Sequence, residues 1–161
     1  MTATTTIKAR PIQVGEKAPD FTLEDQARDA VTLSSFAGKR NVVLVFYPLS
    51  FTSLCSVQMP GYNQEQQTLD DHDAVVLGIS VDSSAVHRAF ADSVGVEYPL
   101  LADFYPHGAV AQAYGVLRPE GTAERATFVI DKQGIVRHSE VHDIGRVPDR
   151  AKAIEALGKL S

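Results

Sequence analysis

A chain of 161 residues with 44% hydrophobic and 22% charged residues has the length and ordinary composition of one globular domain. Its formal net charge of −5 argues against a nucleic-acid partner, which needs a basic excess, and no apolar run approaches the roughly 18 residues that a membrane span requires. One cysteine excludes an intramolecular disulfide and a cysteine-rich metal centre, and suits a reducing, cytoplasmic compartment.

Residues 1–12 read as a short disordered tail, and residues 13–161 as the domain. The stretch from Met1 to Arg10 is Thr-rich with two basic residues and no apolar core, unlike a secretory signal. Ala18-Pro19-Asp20 leads into two short extended runs, 21–23 and 31–33, joined by a polar turn. Residues 41–47 (NVVLVFY) form a continuous Val-rich run, the pattern of a strand buried on both faces. Residues 74–80 (AVVLGIS) repeat it, and residues 126–130 (ATFVI) give a weaker third case. Asp131-Lys132-Gln133-Gly134 then predicts a hairpin turn into 135–141.

Helical signals fall between these strands. Asp82-Ser83-Ser84 offers N-caps for a helix over 85–93 that ends at Gly95. Residues 108–114 predict a short helix stopped by Gly115. Pro148-Asp149 opens a last helix whose Ala151, Ile154 and Leu157 share a face. Strands that alternate with helices and are apolar on both sides predict an α/β sandwich: a central sheet covered on both faces. The antiparallel hairpin over 126–141 makes that sheet mixed. His138 and His142 lie about 13 Å apart along their strand, which makes no metal site, and no cofactor is implied.

The chemistry gathers where the 41–47 strand stops, at Pro48-Leu49-Ser50-Phe51-Thr52-Ser53-Leu54-Cys55. Pro48 ends the strand because it has no N–H for the ladder. Thr52 or Ser53 can cap a following helix, which puts Cys55 at its second or third position. First-turn N–H groups lack internal partners, and the helix N-terminus carries partial positive charge, so a thiolate there is stabilised. The plainer alternative is a buried, inert cysteine behaving as a small hydrophobe.

Pro-x-x-x-Thr-x-x-Cys after a buried strand resembles the active-site motif of the peroxiredoxins, and Pro48, Thr52 and Cys55 match it. Arg125, opening the 126–130 strand, resembles that family's distant arginine. Residues 15–23 (GEKAPDFTL) resemble its usual entry. Residues 103–110 (DFYPHGAV) and Tyr114-Gly115-Val116 resemble its one-cysteine AhpE-type branch within the AhpC/TSA superfamily. The likeness covers about residues 13–160. It implies a thioredoxin-like fold and a thiol peroxidase acting in antioxidant defence. Its substrates would be hydrogen peroxide and organic (lipid) hydroperoxides, with peroxynitrite as a further candidate. By the family pattern Cys55 attacks the peroxide, the Thr52 hydroxyl and the Cys55 N–H hydrogen-bond it, Arg125 assists peroxide and thiolate, and Pro48 shields the sulfur. Without the motif, Thr52 is a cap, Arg125 a surface charge and Pro48 a strand terminator. The family also suggests a homodimer or an assembly of dimers.

Lowering a thiol pKa from about 8.5 to about 6 raises its thiolate fraction at pH 7 from roughly 3% to roughly 90%, a gain of about 2 kcal/mol. Acidity alone therefore makes a modest peroxidase, and the larger share must come from donors aimed at the stretching O–O bond. With no second cysteine, a sulfenic acid on Cys55 must be reduced by an outside thiol: a small molecule, or a thioredoxin- or mycoredoxin-like protein. Pro60 should kink or interrupt the helix soon after Cys55. That break either is incidental or lets the Cys55 turn unwind for the reductant. Phe46, Tyr47, Leu49 and Phe51 ring the motif with apolar surface. Phe46 suits core packing, and for the others core packing, a lipid chain and a dimer face stay open. Two other classes compete. A cysteine hydrolase needs a general base beside Cys55, with His72, His107 or His142 as candidates. A redox sensor or holdase would form the sulfenic acid but turn over slowly.

Overall fold

The computed structural model describes residues 10–160. Strands β1 (Thr22–Glu24) and β2 (Ala30–Thr32) pair as a small antiparallel hairpin. The main sheet is built from β3 (Asn41–Phe46), β4 (Ala74–Ser80), β5 (Leu100–Ala102), β6 (Ala126–Ile130) and β7 (Val136–Val141). Its order is β5-β4-β3-β6-β7, with β3, β4 and β5 parallel and β6 and β7 antiparallel. This is the expected mixed sheet, in a thioredoxin-like fold. The helices are α1 (Ser53–Gln58), α2 (Gln66–Asp71), α3 (Ser84–Val94), α4 (Ala109–Ala113) and α5 (Ala151–Gly158).

The unbroken apolar run of β3 feeds two cores. Side chains alternate across a strand, so Val42, Leu44 and Phe46 face one side, with Val110, Ala111 and Tyr114 from the α4 region and Phe21 and Leu33. Val43, Val45 and Tyr47 face the other, with Cys55 and Met59, Leu69 of α2, Phe90 of α3 and Leu157 of α5. Both layers are needed, because every residue of β3 is buried.

Residues 1–9 of the expected tail lie outside the described residues. Its last residues, however, dock onto the domain: Ile12 is buried, its N–H donates to the Tyr114 carbonyl at 3.1 Å, and its own carbonyl accepts from the Ser139 hydroxyl at 2.6 Å. Three elements were not expected: β5, α2 and a 3-10 turn over Leu33–Phe36 that takes Leu33 out of the expected extended run. Pro60 does interrupt α1: the chain tightens into a 3-10 segment over Met59–Glu65 before α2 resumes. The last helix begins at Ala151, with Arg150 at the cap position.

Candidate active site

The sheet register brings Cys55 and Arg125 together across a sequence separation of 70. Antiparallel pairing sets Ala126 opposite Phe46, so Arg125 lies beside the end of β3, where the Cys55 loop departs. Alternation then puts Arg125 on the same face as Val129, which packs in the Cys55 core. The loop over 47–52 leads into α1 with Thr52 at the cap position, in extended conformation, which makes Cys55 the third residue of the first turn.

Cys55 is fully buried, and its Sγ accepts a hydrogen bond from Arg125 Nη1 at 3.1 Å. The same Nη1 donates to Gln58 Oε1 at 2.7 Å, and Arg125 Nε donates to the Ile144 carbonyl at 2.8 Å. The Arg125 carbonyl accepts from the His142 N–H at 2.7 Å. Arg125 is only 3% exposed, so it is no surface charge. Thr52 holds its cap position by backbone alone. Its hydroxyl donates to the Leu49 carbonyl at 2.8 Å and leaves the first-turn N–H groups unbonded by its side chain. Of its two expected roles, side-chain capping is therefore replaced by bracing the loop, and its lone pairs stay available as acceptors. Pro48 is half-buried between β3 and this loop.

Comparisons with known proteins place the chain that carries this arrangement in one family. Residues 14–139 match the AhpC/TSA family. Alkyl hydroperoxide reductase E of Mycobacterium tuberculosis is 42% identical over 151 residues, spanning 93% of this chain and 99% of that protein. The chain belongs to the AhpC/TSA family of peroxiredoxins. A chloroplastic 2-cysteine peroxiredoxin of Chattonella marina var. antiqua is 40% identical, spanning 91% of this chain and 80% of its own. Among solved structures, peroxidoxin BcpB from Mycobacterium tuberculosis superposes with a TM-score of 0.83 at 29% identity, covering 93% of this chain and 99% of that one. Reduced 2-Cys peroxiredoxin from Plasmodium vivax gives a TM-score of 0.83 at 28% identity over 92% of this chain and 81% of that one. The chain is accordingly a thiol peroxidase, and its single cysteine fits the one-cysteine type.

The candidate site gains one residue that the sequence alone did not mark out. Gln58 lies three positions after Cys55 on α1, so one helix face carries both to Arg125. That spacing was the available signal. No histidine ring is hydrogen-bonded to Cys55 among the described residues. His142 Nε2 meets Thr127 Oγ1 at 2.9 Å, His107 Nε2 meets the Gly121 carbonyl at 2.7 Å, and the partner on sulfur is a guanidinium. Arginine stays protonated and cannot serve as the general base a hydrolase needs. His138 and His142 both turn to Glu140, at 3.2 and 3.6 Å. Burial holds the His142 imidazole below its ordinary pKa, against the opposing pull of Glu140. A surface cleft of about 640 Å³ is lined in part by Asn41, Lys132, Arg137 and Lys152; Asn41 opens β3, so the cleft lies at the pole opposite Cys55. No helix among the described residues is long and apolar enough to cross a membrane.

Proposed function

We propose that this peroxiredoxin reduces hydrogen peroxide and organic hydroperoxides, lipid hydroperoxides among them, with Cys55 as nucleophile and peroxynitrite as a further substrate. The observation that carries the reading is the Arg125 Nη1 donor 3.1 Å from the Cys55 sulfur. A guanidinium N–H seeks an anionic acceptor, and the same fork can follow negative charge as it moves from sulfur to the departing oxygen. The thiolate attacks one peroxide oxygen, an S–O bond forms and the O–O bond breaks. The departing oxygen takes a proton and leaves as water or an alcohol. Sulfur is oxidised to a sulfenic acid and the peroxide is reduced by two electrons. Thr52, whose proton is committed to Leu49, offers its oxygen to the peroxide hydroxyl, while the Cys55 N–H donates to the attacked oxygen. Pro48 keeps bulk water from the sulfur.

Since Cys55 has no accessible surface, a peroxide reaches Sγ only when the loop over 48–52 yields slightly. That loop and its surroundings expose Leu49, Phe51 and Val57, an apolar entrance suited to an alkyl chain. The name of the Mycobacterium tuberculosis relative, an alkyl hydroperoxide reductase, agrees with that class. One cysteine among 161 residues leaves the sulfenic acid to an external thiol, small or carried by a thioredoxin- or mycoredoxin-like protein. Exposed Phe104 and Tyr105 add to the apolar surface and support a homodimer or an assembly of dimers. The charge, composition and single cysteine fit a cytoplasmic enzyme.

Stopped-flow oxidation by hydrogen peroxide and by a lipid hydroperoxide tests the reading. Wild type reacts far faster than a free thiol, Cys55→Ser does not react, and Arg125→Ala slows by about 10²- to 10³-fold, the usual loss for one donor to developing charge. A wild type no faster than a free thiol overturns the proposal.

A further inference from the structure

Parallel pairing of β3 and β4 sets the chain segments leaving their C-terminal ends side by side. The segment after β3 carries the site loop; the one after β4 carries Asp82 and Ser83 into α3. Asp82 is a natural N-cap in the sequence, yet Ser83 takes that position, its Oγ accepting from the Val86 N–H at 3.2 Å. Asp82 turns instead to the site loop. Its Oδ2 accepts from the Ser50 backbone N–H at 2.8 Å and from the Ser80 hydroxyl at 2.6 Å.

Ser80 has one proton, and the carboxylate takes it. Its oxygen, 2.7 Å from His87 Nε2, must therefore accept from an Nε2–H. That tautomer leaves His87 Nδ1 without a proton, and it is buried with no hydrogen-bond partner. Both Ser80 and His87 are fully buried, so the chain His87–Ser80–Asp82–Ser50 anchors the loop to the interior. A second tie joins the Tyr47 and Ser50 hydroxyls at 3.1 Å. The next residue, Phe51, has φ of 66°, a left-handed conformation that a bulky side chain keeps only when its neighbours fix it. Its ring stands edge-on to Phe90 of α3, with centroids 5.3 Å apart. Thr52 follows directly at the N-cap of α1, so whatever holds Ser50 and Phe51 also sets where Thr52 and the first turn begin.

We infer that Asp82 is a positioning residue of the peroxidase reaction, acting through the Ser50 N–H to hold Thr52 and the first turn of α1 in the reactive arrangement. This rests on Cys55 being the peroxidatic nucleophile. Two rates separate positioning from bulk folding: oxidation of Cys55 by hydrogen peroxide, which needs the aligned loop, and alkylation by iodoacetamide, which needs a reachable thiolate but no groups aligned on a peroxide. Asp82→Ala slows oxidation by about tenfold to a hundredfold, the range for a small misplacement at a distance from the chemistry, while alkylation holds or rises. Asp82→Asn keeps a carbonyl oxygen for the Ser50 N–H and recovers most of the wild-type oxidation rate. Where Asp82→Ala does not fold, Ser80→Ala decides by the same split. Wild-type oxidation in the deciding variant, or a parallel fall of both rates, overturns the inference. Wild type no faster than a free thiol removes the Cys55 reading itself and the inference with it.

Discussion

Arg125 divides its donors between a backbone carbonyl, a glutamine and the cysteine sulfur. Nε is committed to the Ile144 carbonyl, which fixes the plane of the guanidinium, while Nη1 is shared between Gln58 Oε1 and Cys55 Sγ. Burying a cation is costly unless its hydrogen bonds are met, and Gln58 supplies an acceptor without adding a negative charge beside the sulfur. Gln58→Ala leaves Nη1 with sulfur alone and frees the fork to rotate. We expect its oxidation by hydrogen peroxide to slow about tenfold, roughly the 1.5 kcal/mol of one hydrogen bond to a charged group, with Gln58→Glu recovering only part of the rate because it keeps the acceptor but adds a negative charge beside the sulfur. An unchanged rate in Gln58→Ala would show that Ile144 alone orients Arg125. The sequence makes Pro48, Thr52, Cys55 and Arg125 legible because each belongs to a spaced motif or opens a recognisable strand. Gln58 carries only its three-residue spacing from Cys55, and Asp82 carries no such mark. A glutamine inside a helix reads as a solvated side chain, and an aspartate before a helix reads as its cap, until tertiary packing turns both inward.

Among the elements, the helix carrying Cys55 is built to be short. The Met59 N–H donates to the Cys55 carbonyl, and Pro60 has no N–H to continue the ladder to Ser56, so the chain tightens into the 3-10 segment. The far side of that segment is pinned. Arg150 lies over the Tyr62 ring at 5.8 Å, its Nε is 3.3 Å from Glu65 Oε1, and Gly61 leaves room for the guanidinium where a Cβ would stand 2.3 Å from Nη1. A weak joint at Pro60 between a functional turn and a clamped segment favours local opening at Cys55 rather than of the whole helical stretch. Pro60→Ala should restore α-helical continuity and hold the turn closed. Reduction of the sulfenic acid by an external thiol then slows about fivefold, as 1 kcal/mol of added local stability implies, while oxidation changes little. Unchanged reduction kinetics would make the proline an incidental break. Long or densely apolar elements such as β3, β4 and α3 were legible from pattern alone. The three-residue β5 was not, because it owes its conformation to pairing with β4. Nor was α2, whose QQTLDD sequence buries only Leu69 and so shows no periodicity.

At the scale of the whole molecule, the buried polar chain that aligns the loop also ties stability to pH. His87 is buried on α3, its ring 6.2 Å from that of Tyr47, and burial pushes its pKa well below the ordinary value, with the Asp82 carboxylate 3.8 Å away opposing only in part. In the unfolded chain the same imidazole titrates near 6.5. Below that pH the unfolded state binds a proton that the folded state refuses, so stability falls as pH drops, until the folded pKa is reached. His142, lowered by burial as well, adds to the same slope. Asp20 and Asp131 are held low by hydrogen bonds that outweigh their burial, so their contribution is lost only at more acid pH, as each protonates. Asp103 has the opposite sign, because burial raises its pKa and folding favours its protonated form. The window from pH 6.5 downward therefore belongs mainly to the histidines. Urea unfolding followed from pH 7 to pH 5 should show stability declining with a slope that approaches about 1.4 kcal/mol per pH unit for each histidine kept neutral. His87→Gln keeps a donor for Ser80 but cannot titrate, and it should lose one proton's worth of that slope. If its slope matches wild type, His87 takes up its proton in the folded state as readily as in the unfolded one. The neutral relay from His87 through Ser80 to Asp82 would then fail as a description of what holds the site loop.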